Sequence, residues 1–217
     1  MMSVSRETAQ TDHIIDLMTN GLPLVFFDRV CEEIETAKIT TDDFECGYKA
    51  TQHLIKQGCN RIGFLGISKC LSISKTRLDG YLKALQDSHI EVNNNFIIHC
   101  NNEADQNDVL IKDLLQLPER PDGIVATVEK LTTPVYEACT NLYLNIPGDL
   151  KFVCFSNLET ATILNPSLTT ITQPAFEMGK TAAALLFNAL ENSDFNLAAE
   201  SMVISSELVI RNSTRSN

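Results

Sequence analysis

The chain of 217 residues has no C-x-x-C pair, no H-E-x-x-H, no G-x-S-x-G and no cluster of lysines and arginines, and none of its apolar runs approaches the ~18 residues of a membrane-spanning helix. Each absence removes a class of function. Without the long run, and with an opening (MMSVSRETAQ) that lacks an apolar signal core, a soluble, non-exported chain is expected. Phosphate-backbone binding needs clustered positive charge, and here 17 basic residues are scattered among 28 acidic ones, for a net charge of −11. The chain alone is therefore expected not to bind nucleic acid. Cys31, Cys46, Cys59, Cys70, Cys100, Cys139 and Cys154 are dispersed singly, an odd set that reads as reduced cytoplasmic thiols rather than a disulfide frame or zinc site. Glycine and proline number only 9 and 7, and with 44% hydrophobic and 21% charged residues the composition excludes extended disorder and fibres. At about 100–200 residues per domain, the length allows one large domain or two lobes.

What is present is a nearly regular alternation of helix and strand patterns. Ile14, Leu17 and Met18 are spaced as a helix, which Gly21 and Pro23 stop before the apolar run 24–27. Asp42 or Asp43 can cap a helix with Gly47, Ala50, Thr51, Leu54 and Ile55 inside. Gly58 ends it, and a buried strand follows over 61–65. Helices are then predicted around Leu78, Tyr81, Leu82 and Leu85, around Val109, Leu110, Leu114 and Leu115, and after Pro134 with Val135, Ala138, Cys139 and Leu142 on one face. Strands alternate with them at 96–98, 123–126 and 151–155. This repetition predicts an α/β fold built on a doubly wound parallel sheet. Residues 168–173 are β-prone yet follow 151–155 after a short connection marked by Asn165 and Pro166. They feed the longest helical segment, about 175–192, with Met178, Ala182, Leu185, Leu186 and Ala189 inside. A last strand near 202–210 leaves 213–217 as a tail. A stretch that leaves one sheet, builds a helix and returns implies two lobes joined by several crossovers.

Motifs for chemistry are weak. Gly179-Lys180-Thr181 looks like the end of a P-loop, but Pro174 stands where that loop needs its first glycine, so Lys180 reads as a solvated helix residue. Ser72-Ile73-Ser74-Lys75 matches S-x-x-K without the S-D-N and K-T-G that accompany it in acyl-enzymes. His13, His53, His89 and His99 lack ligand spacing, and no spacing selects a carboxylate pair. No catalytic residue, metal or cofactor is expected. Placement says more. Polar residues directly after an apolar strand sit at the carboxyl end of a parallel sheet, where ligands bind in such folds. Asp28-Arg29 follows 24–27, Ser156-Asn157 follows 151–155, and Arg77 stands just ahead of the Leu78 helix after the polar stretch 72–76. Together they point to a site for a polyhydroxyl or other polar small molecule, the alternative for Asp28-Arg29 being a solvated strand end or a structural ion pair.

Ser3-Val4-Ser5-Arg6-Glu7-Thr8, Gly21-Leu22-Pro23-Leu24-Val25-Phe26-Phe27-Asp28-Arg29, Gly58-Cys59-Asn60-Arg61-Ile62, Arg77-Leu78-Asp79-Gly80-Tyr81, Ile146-Pro147-Gly148-Asp149-Leu150 and the run from Asn165 to Pro174 occur in one order. This ordered set resembles successive signatures of LacI/GalR-type transcriptional regulators. The resemblance implies a two-lobed, periplasmic-binding-protein-like effector domain with an incomplete N-terminal lobe: residues 1–41 and 172–199 in that lobe, 42–171 and 200–212 in the C-terminal lobe. Family members carry a helix-turn-helix, a hinge helix and the first strands ahead of this point. DNA would thus be reached only through a helix-turn-helix absent from this chain, in a cytoplasmic homodimer with no membrane partner. A small, sugar-like effector would lie between the lobes. Asp28, Arg77 and Ser156 fall where the family contacts it, and Ser74, three residues before Arg77, is a further candidate. The family usually has Asn-Asp at Val128-Glu129 and Asp at Ser156, and both changes reduce the hydrogen bonding of a standard sugar site. The alternative is a stand-alone solute-binding module without a DNA role.

Overall fold

The computed structural model describes residues 1–4, 11–67, 72–101, 104–192 and 194–215; Ser5, Arg6, Glu7 and Thr8 of the first quoted motif, and Cys70, lie outside them. The first half of the chain forms α1 (Asp12–Thr19), β1 (Phe26–Phe27), β2 (Lys38–Thr41), α2 (Asp43–Lys56), β3 (Ile62–Gly66), α3 (Ser72–Asp87), β4 (Ile97–His99) and α4 (Ala104–Gln116). The second half forms β5 (Gly123–Ala126), α5 (Thr132–Asn141), β6 (Lys151–Phe155), β7 (Thr169–Thr172), α6 (Ala175–Glu191), β8 (Met202–Ile204) and β9 (Glu207–Val209). The chain divides into two compact units, one of Met1–Asp42 and Pro174–Ser205, the other of Asp43–Gln173 and Ser206–Asn217. Among the described residues no helix is long and apolar enough to cross a membrane.

The second unit is built on a sheet of order β4-β3-β5-β6-β7-β9, parallel throughout except for the antiparallel β9. Its central strands β3, β5 and β6 read as nearly continuous apolar runs because both faces are covered, and successive side chains enter opposite cores. Phe64, Val125, Val153 and Phe155 join Ala50, Leu54, Tyr81 and Leu85 of α2 and α3. Leu65, Ile124, Ala126 and Phe152 join Ile111, Leu115, Val135 and Cys139 of α4 and α5. That is the doubly wound arrangement. The first unit repeats it on a parallel sheet of order β1-β2-β8. Phe26 packs with Ile14 of α1 on one face, and Val25 and Ile39 pack with Met178 and Ala182 of α6 on the other.

Two glycines set the crossing of α2 and α3. A Cβ on Gly80 would overlap the Phe44 carbonyl, and one on Gly47 the Arg77 carbonyl. The helices touch through their backbones at these points, so neither position has room for even a methyl group.

Several expectations are corrected. β2 was not foreseen: Lys-Ile-Thr-Thr is short and only alternately buried. The strand expected near 202–210 is two, because β8 pairs with β2 and β9 with β7. Residues 200–205 therefore stand with the first unit, and 172–173 with the second. Ser213 and Thr214 are not tail. Both are fully buried, with Ser213 Oγ donating to the Phe152 carbonyl (2.6 Å) and accepting from the Thr169 amide (2.8 Å). Thr214 Oγ1 lies 2.8 Å from both His53 Nε2 and Thr169 Oγ1. On α4 the inner face is Ile111, Leu114 and Leu115, with Val109 58% exposed; several apolar residues on one helix left its phase open. α3 starts at Ser72, so Arg77 is inside the helix rather than ahead of it.

Gly80→Ala is expected to destabilise the protein by about 2–3 kcal/mol in urea titration. Gly148→Ala, whose Cβ would meet nothing nearer than Asn145 Cβ at 3.6 Å, should stay within about 0.5 kcal/mol. His53 has its pKa lowered by burial, with Lys56 adding to the effect. The unfolded chain then binds the proton more readily, so this contribution is present above the ordinary histidine pKa and is lost as pH falls through the lowered one. Stability against urea should fall between neutral pH and about pH 5, less steeply in His53→Gln.

Candidate functional site

The polar side chains gather in the second unit at the carboxyl ends of β5 and β6, where strand amide and carbonyl groups run out of ladder partners. α2 starts at Asp43, and α3 delivers Arg77 across the glycine crossing to the same place. Arg77 Nε donates to Asp43 Oδ1 at 2.7 Å, and Nη1 donates to the Thr127 carbonyl just beyond β5 at 2.6 Å. The guanidinium carbon sits 4.1 Å from the centroid of the Phe155 ring, a cation–π contact that fixes the plane of the fork. The two charged side chains are only 5% and 9% exposed. Nη2 is buried and has no hydrogen-bond partner among the described residues. A buried donor left unused costs about 1–3 kcal/mol, more on a charged group, so it needs a reason.

Ser156, the first residue after β6, is buried. Its hydroxyl accepts from the Leu158 amide at 3.0 Å and stands 3.5 Å from Glu129 Oε2. Asn157 does not join it. Its amide nitrogen donates to the Gln173 carbonyl and its oxygen accepts from the Gln173 amide, both at 2.8 Å, which ties the loop after β6 to the end of β7. Ser74 is half-buried on α3, three residues before Arg77 and hence on the same helix face. Asp28 belongs to the first unit. It follows β1 directly, donates its amide to the Ile39 carbonyl at 3.0 Å, and has φ +62°, a left-handed conformation that Asp tolerates better than most residues. Its carboxylate is 3.4 Å from Arg29 Nε.

The site offers hydrogen-bonding groups, and its thiol is not activated. Burial pushes the Cys154 thiol, beside Thr132, up to about 12, so it is protonated at neutral pH. Cys59 is likewise pushed up to about 12 by burial, and Cys100 and Cys139 to about 11. Among the described residues no three His, Cys, Asp or Glu side chains are grouped as a metal site would require.

Sequence reasoning missed Asp43, Thr127 and Phe155 as parts of this site, and had Glu129 only as a departure from the family's pattern. Asp43 was read only as a helix cap. Thr127 follows β5 as Ser156 follows β6, so the strand-end rule applied to every strand would have found it. Phe155 has no sequence signal, since it reads as one more apolar strand residue.

Residues 51–214 match the family model for the periplasmic binding protein-like domain. The ribose operon repressor of Haemophilus influenzae is 31% identical over 193 residues, covering 89% of this chain and 58% of that protein. A LacI family transcriptional regulator from Enterococcus faecium with bound ribose is 25% identical at a TM-score of 0.85, covering 94% of this chain and 76% of the other. A transcription regulator from Lactobacillus plantarum gives a TM-score of 0.87 at 26% identity, covering 98% and 79%. The chain spans a little over half the length of the curated relatives it matches, from 53% to 60%. It belongs to the periplasmic binding protein-like domain family, and the proteins it is similar to include LacI-family transcriptional regulators.

Proposed function

We propose that this chain binds a small, sugar-like effector and that the longer regulator containing it responds by changing its affinity for DNA. The observation that carries the reading is the buried Arg77 Nη2, an oriented donor with no acceptor at the sheet end where such folds hold ligands. Ser156 and Ser74 add hydroxyls on the same unit, and Asp28, on the first unit, is the remaining candidate. The ribose in the Enterococcus faecium structure and the ribose operon repressor among the relatives support a monosaccharide-sized ligand. No bond is made or broken in this role. The protein would act in the cytoplasm as a homodimer. Its effector would favour one of two conformations, and a coupling of about 1–3 kcal/mol to a DNA-reading segment would suffice for a switch.

A thermal-shift titration with D-ribose and other monosaccharides tests this. A ligand that binds only the folded state adds about 2.7 kcal/mol at a hundredfold excess over its Kd. Arg77→Met, which keeps the apolar stem only as far as Nε and removes the donors, should abolish the shift. Because it also unpairs Asp43, its melting temperature without sugar is expected to fall, and the comparison is made on the still cooperative melt. An equal shift in Arg77→Met would contradict the reading. Asp43→Asn should lower the melting temperature even without sugar. Unpairing a buried ion costs about 3–5 kcal/mol, and the isosteric amide retains part of that as a neutral hydrogen bond.

A further inference from the structure

We propose that Glu129 determines effector class: its carboxylate accepts hydroxyl hydrogens from an uncharged polyol and turns away phosphorylated or carboxylated analogues. The inference rests on the reading of the Arg77 face as the ligand site and adds a residue and a selectivity to it.

Charge balance at the carboxyl ends of β5 and β6 leads there. Arg77 places a deeply buried cation at this face, but Asp43 at 2.7 Å compensates its charge. What Arg77 still offers is a directed N–H on Nη2, suited to a hydroxyl or ring oxygen. Glu129 lies three residues beyond the end of β5 and is exposed to an incoming molecule, and among the described residues it forms no ion pair. One of its oxygens approaches the Ser156 hydroxyl at 3.5 Å. Glu129 and Arg77 also both act on the buried Cys154 thiol, with opposite sign, which places the two charges around one point at the end of β6. The neighbouring Lys130 ammonium donates to the Asn101 carbonyl at 3.2 Å.

Among the described residues, Glu129 is thus the carboxylate at this face without an ion pair. A carboxylate is acceptor-only and can take two hydroxyl hydrogens from one ligand, while Arg77 Nη2 supplies the complementary donor. A neutral molecule with adjacent hydroxyls satisfies both. A phosphate would set its charge beside Glu129, with the Arg77 charge already spent on Asp43. Ser156 is a poorer substitute for the carboxylate: its hydroxyl is neutral and already accepts from the Leu158 amide, which leaves one lone pair where a carboxylate offers two oxygens.

The test is calorimetric and thermal-shift titration of the wild-type chain and Glu129→Gln with D-ribose, D-glucose, D-ribose 5-phosphate and D-glucose 6-phosphate. Glu129 is exposed, so the melting temperature without sugar checks that the variant is folded. The wild type is expected to bind a neutral sugar and not its phosphate. Glu129→Gln is expected to bind that neutral sugar about tenfold more weakly, the loss of a charge-assisted hydrogen bond, and to narrow the gap between sugar and phosphate. Unchanged neutral-sugar affinity in Glu129→Gln, or tighter binding of the phosphate by the wild type, overturns the role of Glu129 and leaves the Arg77 site standing. No response of the wild type to any of the four overturns the Arg77 site, and this inference with it.

Discussion

A guanidinium and a carboxylate taken out of water together lose more hydration than their attraction returns, unless geometry and added hydrogen bonds compensate. Arg77 and Asp43 meet those conditions only in part. Nε and Nη1 are used and the Phe155 ring covers one face of the fork, yet Nη2 is left without an acceptor. A pair of that kind is a poor way to stabilise a fold and a good way to hold one donor in a fixed direction. The surrounding structure serves that placement. Gly47 and Gly80 let α2 and α3 meet backbone to backbone, which brings the start of one helix against the second turn of the other. The parallel sheet then supplies the Thr127 carbonyl and the Phe155 ring from the ends of adjacent strands.

Burial also governs the thiols. Cys59, Cys100, Cys139 and Cys154 are buried, and loss of hydration there keeps their thiols protonated, so Cys154 at the site is not poised as a nucleophile. Hydrogen-bonding groups instead collect where the strands end. Asn157, placed by sequence beside Ser156, is consumed in fastening β6 to β7. A polar residue at a strand end is thus as often structural as ligand-facing, and only its hydrogen-bond partners decide which.

Much of the fold was legible because burial on both faces writes long apolar strands and leaves helices a clear inner stripe. β6 appeared at its observed bounds, and the inner face of α6 was read from Met178, Ala182, Leu185 and Leu186. Where burial is thin, legibility failed. β2 is only alternately buried, and β8 and β9 are three residues each, so their split was invisible. Ser213 and Thr214 looked like a polar terminus because their burial depends on long-range hydrogen bonds to Phe152 and Thr169, which no local pattern records. Arg77 and Ser156, singled out by placement, both stand at the carboxyl ends of β5 and β6, whereas Asp28 lies in the first unit. Asp43, Thr127 and Phe155 were not legible, since their roles depend on the side chain they meet. Glu129 was noticed only as a departure from the family pattern, and its meaning lies in the charge balance around it.

The most direct measurement is nitrogen-15 NMR of the arginine side chains during titration with D-ribose, the sugar bound in the Enterococcus faecium relative. The Arg77 Nη2 signal should move and become protected from exchange as the sugar saturates. The Nε signal, already bound to Asp43, should stay nearly unchanged. A rise in melting temperature with ribose while both Arg77 signals stay fixed would show that the ligand binds without this donor, and would contradict the central role given to the Arg77–Asp43 pair.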